Sequence, residues 1–100
     1  MKKVHEEEWE HPNGLENHII MVTIFYDKNT RTYWTSVVPA TITKSSGFSM
    51  REFGAFTGFK FKVLEGISRQ SAKHLETCKQ VVTSRKEEFV SKFKDNLIET

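Results

Sequence analysis

The chain has 100 residues, of which 37% are apolar and 28% charged, with fifteen basic against thirteen acidic side chains. That is enough chain for one domain with one core, and too many aromatic side chains for a disordered segment. The longest apolar run, Ile19 to Tyr26, spans eight residues and contains Thr23, far short of the roughly 18 residues a membrane helix needs.

Residues 1–17 are polar and run into Pro12-Asn13-Gly14, a strong turn signal. They read as an N-terminal arm, loose or weakly paired to a sheet edge, ahead of a single α+β domain over residues 18–100. His18 to Tyr26 is the most secure strand, rich in β-branched and aromatic residues. Ile20, Val22, Ile24 and Tyr26 share one face and Ile19, Met21, Thr23 and Phe25 the other. Two apolar faces place this strand centrally in its sheet. Asp27-Lys28-Asn29-Thr30 is turn chemistry, with Asn29 suited to a left-handed conformation, and a second strand runs from Arg31 to about Val38. Pro39 lacks a donor and marks a strand end, bulge or edge; residues 40–44 read as a short continuation. Ser45-Ser46-Gly47 is a loop, residues 48–58 fit a loop or a turn of helix, and Phe59 to Leu64 alternates as a half-buried strand with Lys60 and Lys62 toward water.

Ser68 is a plausible N-cap, and from Arg69 to about Ile98 neither Pro nor Gly interrupts the chain. Ala72, Leu75, Cys78, Val82, Phe89, Val90, Phe93 and Leu97 fall on one stripe at helical spacing. The stripe predicts one long C-terminal helix. The competing reading is a break near Thr83, because Ser84 and Glu87 have capping-box spacing. The expected fold is therefore α+β: an antiparallel sheet of three to four strands, followed by one long C-terminal α-helix packed on one face. A helix of about thirty residues is about 45 Å long, against about 30 Å for the longest strand. The overhang carries Phe89, Val90, Phe93 and Leu97. Each would forfeit roughly 1.5–3 kcal/mol in water, so these four are the expected interface of a homodimer.

Chemistry-bearing patterns are sparse. His5, His11 and His18 lie near Glu6, Glu7, Glu8 and Glu10, but the spacings match no zinc motif and no cysteine accompanies them. No metal or cofactor is expected. Cys78 falls inside the apolar stripe, which suits a core residue better than a nucleophile. No phosphate-binding glycine loop or nucleophile elbow is present, so no catalytic residue is assigned and enzymatic activity is not expected. The acidic start at Glu6-Glu7-Glu8 is unlike a signal peptide, and with one cysteine the chain reads as cytoplasmic.

Residues 41–100 carry eleven basic and seven acidic groups, and residues 1–40 four and six. Within the basic part, Gly58-Phe59-Lys60-Phe61-Lys62-Val63 interleaves aromatics with lysines. Sheets that bind nucleic acid stack bases on aromatics and hold phosphates with Lys or Arg. The plain reading puts Phe59 and Phe61 in the core and the lysines in water. The first expectation is a small non-catalytic interaction module that self-associates through its C-terminal helix. The alternative is a nucleic-acid-binding protein using Tyr33, Trp34, Lys44, Arg51, Lys60 and Lys62.

Overall fold

The computed structural model describes residues 1–53 and 58–94. Five strands come first: β1 (Lys2–Glu10), β2 (His18–Asp27), β3 (Thr32–Ser45), β4 (Phe48–Glu52) and β5 (Phe59–Leu64). Two helices follow, α1 (Ala72–Ser84) and α2 (Lys86–Lys94). The strands pair antiparallel in the order β1-β2-β3-β4, with β5 also on β3. The α+β class and the antiparallel sheet are as expected. The strand count is five among the described residues, not three or four, and the C-terminal part is two short helices, not one long one.

The first correction comes from both ends of the sheet. Lys2–Glu10 is a full edge strand, in register with β2 except for a bulge between Lys3 and His5. Its inward side is anchored by Trp9, which is buried opposite Ile20. At the other edge, β3 is long enough to take two partners in succession. β5 pairs with Tyr33 to Val37 and β4 with Thr41 to Ser45. The gap falls at residues 38–40 and contains Pro39, which has no N–H to offer a ladder. Gly58 enters β5 beside this gap. A Cβ there would stand 2.4 Å from the Val37 carbonyl oxygen, so only glycine allows the approach.

The turns follow local chemistry with one difference. In the β2–β3 turn the Asp27 carboxylate accepts the Asn29 N–H at 3.0 Å, yet the residue in the left-handed region is Arg31 (φ 56°), not Asn29. Arg31 is held there by its carbonyl, which accepts the Ile67 N–H at 3.0 Å. Gly47, at φ 92°, makes the tight turn between β3 and β4.

The helices begin later and break sooner than the apolar stripe predicts. Tyr26 donates its hydroxyl proton to the Ile67 carbonyl, and the Tyr33 hydroxyl accepts the Ser71 N–H. These two bonds hold residues 67–71 to the sheet, so the N-cap is Ser71 and not Ser68. The Ser71 hydroxyl accepts the His74 N–H at 3.2 Å. Arg85 then leaves helical geometry (φ −103°, ψ 7°), and its N–H turns to the Val82 carbonyl at 3.1 Å. The break lies two residues past Thr83.

Both helices lie over one face of the sheet. Trp9, Ile20, Val22 and Val37 pack there with Val82, Phe89 and Phe93, while Ile24, Tyr26 and Tyr33 surround Cys78. The break at Arg85 lets Phe89 and Phe93 meet Phe59 and Phe61. The Phe61 and Phe89 rings stack at 5.2 Å and the Phe59 and Phe93 centroids lie 5.4 Å apart. No overhanging rod is present among the described residues. Phe89 and Phe93 spend their apolar surface on the chain's own sheet, at 2% and 1% exposure, and Val90 packs partly buried beside them. The premise that assigned these residues to a dimer interface is thereby removed; Leu97 lies outside the described residues.

The opposite face, here the outer face, carries a smaller apolar cluster of Ile19, Met21 and Ala40 with Ile42. The sheet is curled toward this side. Arg51 on β4 reaches Glu8 on β1, Nε to Oε1, at 2.6 Å. On a flat sheet, three strand spacings and the four-residue offset would hold their Cα atoms roughly 20 Å apart.

Candidate nucleic-acid interface

Strand parity decides which sequence-predicted residues share a surface. On β3, Tyr33 pairs with Tyr26 and points to the helix side, where it is 1% exposed. Burial raises its phenol pKa, and its hydroxyl is already bonded to Ser71. Tyr33 is therefore a core residue, not a contact residue. Trp34, one position on, faces the outer side between Phe25 on β2 and Lys62 on β5. It is half-buried.

Lys60 and Lys62 share that outer face, because Phe59 and Phe61 take the helix side. Their ammonium groups stand 5.4 and 5.5 Å from the centre of the Trp34 ring. Both lysines are exposed, and Lys62 also meets Glu65 at 3.3 Å. The Trp34 indole N–H is shielded and has no acceptor among the described residues. The interleaved sequence therefore separates as the plain reading has it: its phenylalanines enter the core. Its lysines gain a different aromatic partner from the neighbouring strand.

Lys44 and Arg51 do not join this group. Lys44 is exposed near the end of β3, beside a shallow depression with Glu16, Asn17 and Ile42. Arg51 is bonded to Glu8, which raises its pKa. Two aromatics that strand periodicity alone did not mark as site residues belong here. Phe25 lies beside Trp34, and Phe53, 46% exposed, closes a groove of about 330 Å³ over Met21, Thr23, Phe25, Ser36 and Val38.

The far edge of the same face is acidic. Glu6, Glu8 and Glu10 are exposed opposite Thr23, Met21 and Ile19. Glu6 is engaged by Lys3 at 3.3 Å and Glu8 by Arg51. The alternation of Glu6, Glu8 and Glu10 around buried Trp9 is the signal that would have identified β1 as a strand.

The other sequence candidates resolve as structure. His11 and His18 meet edge to face at 6.0 Å, both 2% exposed, while His5 pairs instead with Glu7 at 3.5 Å. Asn13 binds both rings: its N–H donates to His11 Nδ1 at 3.1 Å, and its side-chain amide lies 2.6 Å from His18 Nδ1. Burial is the main cause that lowers the His11 pKa, with His18 second. No group of three metal-ligating side chains occurs among the described residues. Burial pushes the Cys78 thiol up to about 11, which leaves it protonated and a poor nucleophile at neutral pH. No helix among the described residues is long and apolar enough to cross a membrane. No protein-family model, curated protein or solved structure matches the chain.

Proposed function

We propose that the chain is a non-catalytic module that binds nucleic acid on the outer face of its curled sheet. The observation that carries this reading is the meeting of Trp34 with Lys60 and Lys62 on a face the helices leave uncovered. A polyanion suits the group and competes with Glu65 for Lys62. Phosphates attract the two ammonium groups, and a base replaces them on the indole ring. The magnitudes favour that exchange. Each exposed cation–π contact is worth about 0.5–1 kcal/mol, while base stacking on an aromatic side chain is worth about 1–3 kcal/mol and the phosphate contacts add to it.

Fluorescence anisotropy with labelled oligonucleotides at low salt tests the reading. Wild type binds, and Lys60→Glu with Lys62→Glu binds at least tenfold more weakly with an unchanged circular dichroism spectrum. Absence of binding at low salt, or equal binding by the charge-reversed variant, rejects it.

A second reading, self-association, draws on β4. Phe48 and Met50 are 58% and 49% exposed on a strand that pairs only with β3 among the described residues, an edge that a second copy can extend antiparallel. Light scattering decides it: a dimer that becomes monomer in Phe48→Ser with Met50→Ser supports the reading, and a monomeric wild type ends it.

A further inference from the structure

We infer that the nucleic acid taken here is single-stranded, with one unpaired base on Trp34 and its flanking phosphates on Lys60 and Lys62; this rests on the nucleic-acid reading above. Three observations favour a single strand over a duplex. Trp34 offers a ring face at the floor of the sheet, and a base reaches such a platform only when it is unpaired. The sheet curls until its fourth strand bonds its first, through Arg51 and Glu8, so the face is a trough suited to a narrow, extended chain. Lys60 and Lys62 lie two residues apart along β5, a separation of roughly 6.7 Å, close to that of neighbouring phosphates on an extended strand.

The acidic edge sets the orientation. Glu6 and Glu8 on β1 lie across the trough from Lys60 and Lys62, so the phosphates follow β5 and the bases point inward. The floor they meet is Ser36 and Thr23, with Phe25 and Phe53 beside them. Two hydroxyls and two apolar rings hold a base without reading its identity, so the expected preference is for strandedness and not for sequence.

Two lysines neutralising two phosphates give a slope of log affinity on log salt of about −1.4 for a single strand. From roughly 50 to 200 mM salt the affinity then falls about sevenfold. The probes are an oligothymidine of roughly ten nucleotides and a hairpin duplex of matching length. The readouts are intrinsic tryptophan fluorescence and anisotropy. Trp9 is buried under α2 and serves as the constant background. The oligothymidine quenches Trp34, Trp34→Ala loses the quench and roughly 5- to 150-fold in affinity, and Trp34→Phe, which keeps a ring, retains most of the affinity. Duplex binding equal to or tighter than the single strand, without quench, overturns this inference and leaves the nucleic-acid reading standing. Binding of neither probe overturns both.

Discussion

Replacing Phe89 by alanine separates two accounts of the C-terminal apolar stripe. In the fold Phe89 is 2% exposed, stacked on Phe61 at 5.2 Å and 6.0 Å from Phe59. Truncating a buried phenylalanine costs about 3–5 kcal/mol through lost transfer energy and the cavity left behind. The stacked ring places this site in the middle of that range or above it, at about 4 kcal/mol. A domain of this size is stable by about 5–15 kcal/mol in total. At about 4–8 °C per kcal/mol, Tm falls by roughly 16–32 °C. Thermal and urea unfolding followed by circular dichroism measure the loss, and light scattering measures the mass in parallel. Loss of less than about 1 kcal/mol, together with a fall from dimer to monomer, would refute the core assignment. That outcome would return Phe89 to an interface between copies.

Gly58→Ala drives a methyl group to 2.4 Å from the Val37 oxygen and 2.9 Å from the Val38 Cα. Backbone atoms cannot step aside as a side chain does, so a loss of about 3 kcal/mol is expected by urea denaturation, and a neutral result contradicts the close approach. Ser71→Ala removes the cap on the His74 N–H and costs about 1 kcal/mol, read as a lower urea midpoint. Buried His11 gives a pH dependence. Folded His11 holds its proton less tightly than a free histidine of pKa 6.5. Above that pH both folded and unfolded forms are neutral; as pH falls below it the unfolded chain protonates first, and stability drops until the lowered folded pKa is reached. The urea midpoint therefore decreases as pH falls from neutral through 6.5, and His11→Gln flattens the decrease. An equally steep decrease in the variant assigns it to other groups.

Period-two patterns were legible in the sequence wherever apolar residues carried them. β2 and β5 stand within one residue of their expected bounds, with Phe59 and Phe61 inward and Lys60 and Lys62 outward. β1 was legible only as an arm, loose or weakly paired to a sheet edge, because its outward residues are glutamates and its inward apolar anchors are only Val4 and Trp9. The start of α1 was hidden for a different reason. Two tyrosine hydroxyls hold residues 67–71 to the sheet, and such long-range bonds leave no local trace. The break at Arg85 was legible only as the competing reading, since no glycine or proline marks it. Three of the candidate contact residues, Trp34, Lys60 and Lys62, come together; Tyr33 does not, because one step along a strand moves a side chain to the other face.

The same parity ties the candidate site to the core. Phe59 and Phe61 are held inward by Phe89 and Phe93, and turning either one to water costs roughly 1.5–3 kcal/mol. A one-residue slip of β5 against β3 would expose both rings and bury both lysines. The helix side of the sheet thus selects the register that sets Lys60 and Lys62 over Trp34, although no atom of α2 belongs to that group. The selection rests on few bonds, because β5 pairs with only five residues of β3, Tyr33 to Val37, and with no strand on its other edge among the described residues. A core variant such as Phe89→Ala, examined at a temperature where it remains folded, should therefore loosen β5 and weaken oligonucleotide binding. Amide hydrogen exchange at Lys60 and Lys62 faster than at Val22 and Ile24 would report that loosening. Equal protection across β2 and β5 would show that the sheet holds its own register without the phenylalanine stack.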